Sequence, residues 1–134
     1  MSTPRSGRRE GLRAAGGRKT ATWRFKPRWR FVQGGTIGLG PGKADLLEAI
    51  EATGSISAAG KSLGMSYRRA WVLIATMNAC FAAPLVATFA RRSTGAVLTP
   101  EGRKVLRLYR RIESRSLAAA RRDTKALLRL LSGR

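Results

Sequence analysis

The sequence contains no histidine, a single cysteine and only seven acidic side chains in 134 residues. Each shortage removes a class of chemistry. Without histidine there is no Ser–His or Cys–His nucleophile pair and no His-ligated zinc. Cys80 alone can neither close an intrachain disulfide nor build a Cys-rich metal site. Seven acids leave little for paired-carboxylate catalysis. The expectation is a protein that is not an enzyme and holds neither metal nor cofactor.

What is abundant is positive charge. Lys and Arg number 27, for a net charge of +20. Such a chain repels itself and attracts polyanions: nucleic acid, an anionic membrane face or acidic partners. The length fits one domain, and 43% hydrophobic residues supply a modest core. The charge is unevenly placed. Residues 1–30 carry ten bases and one acid, residues 31–90 four bases and three acids, and residues 91–134 thirteen bases and three acids. The net values are +9, +1 and +10, so the globular core is expected in the near-neutral middle.

Residues 1–21 are rich in Gly, Arg and Ser and almost lack large apolar side chains, which reads as a disordered basic arm. The arm has no apolar stretch of a secretory signal, and no amphipathic face of an organelle transit peptide. The run from Ala70 to Ala90 is free of formal charge and long enough to span a bilayer. Asn78 near its centre, Pro84 and seven alanines argue against a spanning helix, and basic pairs at both ends give no orientation bias. A single-span membrane protein is therefore a minor alternative, and a cytoplasmic protein is expected.

Residues 22–99 read as a winged helix-turn-helix domain. Trp29 to Gln33 alternates apolar and polar, meets Gly34-Gly35 and resumes at Thr36-Ile37, which predicts a hairpin over 29–38. A breaker cluster, Gly38 to Gly42, leads into a first helix from about Lys43 to Thr53, with Leu46, Leu47 and Ile50 on one face. The helix-turn-helix spans 57–81. Ser57 is the expected N-cap of a short helix through Leu63, Gly64-Met65-Ser66 is a turn, and Ser66 caps a helix from Tyr67 to about Phe81. Ala70, Ile74, Met77 and Phe81 form its buried stripe. A hairpin over 85–98, with a basic loop at Arg91 and Arg92, is the wing. Thr99-Pro100-Glu101 then starts a helix expected to run to Leu131 within residues 100–134. Roughly 32 residues would reach about 48 Å, far beyond the small body beneath. Val105, Tyr109, Ile112, Ser116 and Ala119 carry the spacing of a seam, and Leu127, Leu128, Leu130 and Leu131 an apolar tip. The fold class is mainly α with small β-hairpins, and the last helix is assigned to dimerisation.

The stretch Gly54-Ser55-Ile56-Ser57-Ala58-Ala59-Gly60-Lys61-Ser62-Leu63-Gly64-Met65-Ser66-Tyr67-Arg68-Arg69-Ala70-Trp71 resembles the helix-turn-helix of ModE-type molybdate-responsive regulators, relatives of the LysR type. Leu39 to Ile50, Met77-Asn78, Pro84-Leu85-Val86 and Leu98 to Gly102 are similar as well, so the likeness covers about residues 28–115. It implies a winged-helix DNA-binding domain dimerised by its first and last helices, which brings Leu46 into the dimerisation set with Val105, Tyr109, Ile112, Leu127 and Leu131. Molybdate sensing belongs to a separate C-terminal domain in such regulators. The chain stops after the long helix, so that function is not carried over.

In a helix-turn-helix the N-terminal residues of the second helix face base edges. Tyr67, Arg68, Arg69 and Trp71 are therefore the expected readers, since Arg takes guanine bidentately and an aromatic edge meets a thymine methyl. Trp71 alone reads equally well as core. Ser57 and Lys61 are expected at phosphate, as are Arg91 and Arg92 in the wing, and Ser66 is counted among the DNA-binding residues. The expected partners are double-stranded DNA and a second copy of the chain. Trp23, Phe25 and Trp29 interleaved with bases keep a general nucleic-acid binder as the main alternative, although Trp29 and Phe31 are expected to pack into the first hairpin. Cys80 is expected to be a small buried hydrophobe.

Overall fold

The computed structural model describes residues 21–89 and 95–132, in two units: residues 27–118, and residues up to 26 together with those from 119 onward. The basic arm and the wing-tip pair Arg91 and Arg92 thus fall outside the described residues.

In the larger unit the chain enters through a hairpin. Strands β1 (Phe31–Gln33) and β2 (Thr36–Leu39) pair antiparallel across the Gly34-Gly35 turn, with Val32 opposite Ile37 and a register shift between Phe31 and Val32. Trp29 and Phe31 do not pack away as expected; they remain 43% and 51% exposed. The hairpin has two strands and no layer of its own to cover their outer face.

Helix α1 (Pro41–Thr53) begins with proline at its first position, where no N–H is needed. It ends at Gly54, whose N–H returns to the Ile50 carbonyl at 2.7 Å. Helix α2 (Ile56–Ser62) follows at once. Its cap is Ser55, whose Oγ accepts the Ala58 N–H at 3.1 Å. Ser57, the expected cap, lies inside the first turn instead, because Ile56 is drawn into the core and brings the helix start two residues forward. Helix α3 (Tyr67–Cys80) presents Ala70, Ile74 and Met77 to the core. It has 14 residues, and among the described residues no helix is long and apolar enough to cross a membrane.

Strands β3 (Val86–Thr88) and β4 (Ala96–Leu98) form the second hairpin, with Ala87 opposite Val97. The Ala96 N–H donates to the Gly54 carbonyl at 3.1 Å, so β4 is also tied to the corner between α1 and α2. Helix α4 (Pro100–Ala119) is capped by Thr99, whose Oγ1 accepts the Gly102 N–H at 2.9 Å and donates to the Pro84 carbonyl at 2.7 Å.

The core is one cluster drawn from every element except β1 and the C-terminal segment. Leu46, Leu47, Ile50, Ile56, Ile74, Met77, Leu85 and Tyr109 are its largest fully buried members, each contributing about 1.5–3 kcal/mol by leaving water. Two residues expected at a dimer seam belong here. Leu46 has no accessible surface, and Tyr109 is 1% exposed. The buried side of α4 is Gly102, Leu106 and Tyr109, turned toward the chain's own core. Val105 is half-buried against that core, and Leu108 and Ile112 are exposed. The Tyr109 hydroxyl donates to the Trp29 carbonyl at 2.7 Å. Burial and the nearby Glu113 carboxylate both push this phenol above its ordinary value.

Helix α4 is fastened to α1 by charge. Arg110 reaches Asp45 at 2.8 Å and Glu48 at 2.5 Å on α1, and Glu113 at 3.0 Å on its own helix. Burial works against the guanidinium charge, but the hydrogen bonds it donates to Asp45, Glu113 and Glu48 outweigh that and hold the proton more tightly than usual.

The last helix is two helices, not one. Helix α4 stops at Ala119, Ala120 adopts φ −95° and ψ 4°, and α5 (Arg121–Leu130) begins anew. No proline or glycine marks the break; the backbone turns at an alanine, which leaves no trace in hydrophobic periodicity. Asp123 in the first turn and Arg129 in the last suit the dipole of an independent α5. In this smaller unit the Trp23 indole N–H donates to the Ser132 carbonyl at 2.7 Å, and Leu127 and Leu131 are exposed.

Candidate nucleic-acid interface

The turn between α2 and α3 sets the site. Gly64 takes φ +71°, a left-handed conformation that side chains resist, and the Met65 N–H returns to the Gly60 carbonyl at 2.9 Å. Ser66 follows as the N-cap of α3, with Oγ accepting the Arg69 N–H at 3.0 Å. The first turn of α3 is thereby fixed and left in solvent, and Tyr67, Arg68 and Arg69 are all exposed.

The buried stripe of Ala70, Ile74 and Met77 gives α3 its phase. Tyr67 and Trp71 share one flank, where their rings meet edge to face with centroids 6.3 Å apart. Trp71 is half-buried against the core, so it both packs and borders the exposed face. Arg68 stands on the face opposite the stripe. Arg69 lies on the other flank, within electrostatic reach of Lys43. The Lys43 ammonium donates to the Ile37 carbonyl at 2.7 Å. Desolvation holds its pKa below the ordinary value; the nearby Cys80 thiol acts against that shift and Arg69 adds to it. The four expected readers thus divide between three sides of one helix.

Ser57 and Lys61 are exposed one turn apart on α2, on a common side. Behind α3, the Asn78 side chain fixes the second hairpin. Its Oδ1 accepts the N–H groups of Leu85 at 2.8 Å and Val86 at 3.2 Å, and its Nδ2 donates to the Val86 carbonyl at 3.2 Å. The wing therefore takes its position from the same helix that offers Arg68.

Two features of the surface were not among the expected site residues. Val72 and Ala75 are exposed on the side of α3 that carries Arg68. The signal was present: both lie opposite the buried stripe. The second is a groove of about 740 Å³ lined by Phe31, Val32, Phe81, Leu108 and Ile112 among others. Cys80 is exposed at its wall, against the expectation of a buried thiol. It comes at the very end of α3, past the last buried position, Met77.

Comparison with known proteins agrees with this geometry. A family model for bacterial regulatory helix-turn-helix proteins of the lysR family matches residues 43–103. The chain is 45% identical over 78 residues to the molybdenum-pterin-binding protein MopB of Rhodobacter capsulatus, covering 57% of this chain and 29% of that protein. It is 40% identical over 90 residues to the molybdenum transport protein ModE of Azotobacter vinelandii, covering 66% and 33%. It is 41% identical over 71 residues to the DNA-binding transcriptional dual regulator ModE of Escherichia coli K12, covering 52% and 27%. The chain spans a third or less of the length of these curated relatives. Residues 43–103 thus match the helix-turn-helix of lysR-family regulators, and between about half and two thirds of the chain is similar to ModE and MopB proteins.

Proposed function

We propose that this chain is a non-enzymatic, homodimeric transcriptional regulator that binds double-stranded DNA at specific sequences and serves molybdenum-related genes. The observation that carries the reading is the N-terminus of α3, capped by Ser66, with Tyr67 and Arg68 exposed and the helix braced from behind by its buried stripe. Two such helices, related by a two-fold axis, enter successive major grooves about 34 Å apart on an inverted repeat. Ser57, Lys61 and Arg69 serve the phosphates beside the groove, and Arg91 and Arg92 those under the wing. Support for a dimer comes from the apolar groove and the exposed Phe31, Val32, Leu108 and Ile112 around it, surface of the kind that marks protein contact. Leu127 and Leu131 add exposed apolar surface in the smaller unit. The molybdenum connection rests on the names of the relatives.

One observation favours a second reading. Trp23, Phe25, Trp29 and Phe31 are all exposed and alternate with Arg24, Lys26, Arg28 and Arg30, a composition suited to stacking on single strands. Selection from a random duplex pool separates the two. The proposed regulator enriches an inverted repeat, and a general binder enriches nothing. With three to five phosphates engaged per protomer, log K falls against log salt with a slope of roughly −5 to −9. A slope near zero overturns both readings.

A further inference from the structure

We infer that α3 reads its half-site through methyl groups, with Val72 and Ala75 set against the C5-methyls of thymines and Arg68 ahead of them on a guanine. The inference rests on the reading of α3 as the helix that enters the major groove, and names what that helix recognises.

The line of α3 farthest from the core is Arg68, Val72, Ala75 and Ala79, at i, i+4, i+7 and i+11, and every member is exposed. After Arg68 the line holds no hydrogen-bonding side chain. Val72 is 52% exposed, although a β-branched residue gains nothing for a helix on a solvated face. The two polar residues beyond the first turns are committed elsewhere. The Thr76 hydroxyl donates to the Val72 carbonyl at 3.0 Å, and Asn78 is engaged with Leu85 and Val86.

Such a surface discriminates in one direction. In the major groove thymine alone presents an apolar group, whereas guanine, cytosine and adenine present donors and acceptors. A valine or alanine laid against those polar edges leaves them without partners, which is costly once water is excluded. Small side chains also let the helix axis come close to the base edges. Arg68 to Ala75 spans about 10 Å of helix, or roughly three base-pair steps. The half-site is therefore a guanine followed within about three steps by one or two thymines.

The test uses the full chain. A consensus is first selected from random duplexes, and each thymine of the half-site is then replaced by deoxyuridine, which lacks only the methyl. The expected result is a loss of about four-fold at one or two thymines, the value of one buried methyl-sized group, with no change at the others. Val72→Ala, an exposed change toward a better helix former, is expected to abolish the sensitivity at one of those positions while circular dichroism stays unchanged. A clear consensus in which no deoxyuridine weakens binding overturns the methyl readout alone. So does undiminished sensitivity at every position in both Val72→Ala and Ala75→Gly. If no consensus emerges, the assignment of sequence-specific binding falls with it.

Discussion

Gly102 lies so close beneath the Leu85 carbonyl that a Cβ built on it would stand 2.1 Å from the oxygen. This contact seats the first turn of α4 against the residue that leads into β3, and the contacting atoms are backbone, which cannot swing aside. Alanine would ordinarily favour a helix over glycine by about 1 kcal/mol. Here the overlap reverses the sign. Gly102→Ala is expected to destabilise by about 1–3 kcal/mol, read as a lower midpoint in urea or heat. Gly42→Ala on α1 meets nothing within 4 Å and serves as the clash-free comparison, where no loss is expected.

Asn78 satisfies two N–H groups and one carbonyl of the wing strand at once. Asn78→Ala leaves these part-buried groups to find water, and a loss of about 2–3 kcal/mol is expected. Amide exchange at Leu85 and Val86 should accelerate more than exchange within α1. Asn78→Asp keeps the acceptor and loses the donor, so its loss should be smaller. Equal losses for the two variants would mean the acceptor role is not the dominant one.

The Tyr109 hydroxyl predicts a pH dependence. Its folded-state pKa lies above the ordinary phenol value of about 10, so the folded state retains the proton longer than the unfolded chain. The contribution is fully present below about pH 10 and is lost as pH rises through the folded value. Tyr109→Phe removes the bond to the Trp29 carbonyl, for a loss of about 1 kcal/mol at neutral pH. The variant should also lose stability less steeply than the parent on the alkaline side. An identical alkaline profile would assign that limb to other groups.

Arg68→Ala addresses the proposed interface. If the guanidinium takes guanine O6 and N7, its removal costs about 1–3 kcal/mol on the preferred sequence and much less on others, so preference relaxes at one base pair. A uniform loss across sequences, with a shallower salt slope, would move Arg68 from base to phosphate.

The parts of the fold legible in the sequence are those set by local pattern. The α3 stripe, the Ser66 cap, the Gly64 turn and both hairpins follow from spacing and from residues with narrow backbone preferences. Periodicity shows that a face is apolar, but not what covers it. Tyr109 reads as a seam residue for that reason, as Leu46 does from the family resemblance, and the chain's own core covers both. Trp29 and Phe31 erred the other way, because alternation predicts a strand without supplying a second layer.

The candidate site was legible in its residue types and less so in their orientation. Tyr67, Arg68 and Arg69 adjoin in sequence, yet a helix turns about 100° per residue and sends them to different sides. Val72 and Ala75 do not stand out in the sequence because neither carries chemistry in isolation. The break at Ala120 had no signal at all, since alanine is the best of helix formers.

The three carboxylates around Arg110 have a consequence for the other cations. Asp45, Glu48 and Glu113 are three of the chain's seven acids, and among the described residues Arg110 is the cation that draws all the ion pairs. Among the described residues no other lysine or arginine is ion-paired to a carboxylate. A polyanion approaching this surface displaces small counterions and ruptures no internal salt link. Its binding is driven by the entropy of the liberated ions, and the architecture that presents the cations is left untouched by their neutralisation.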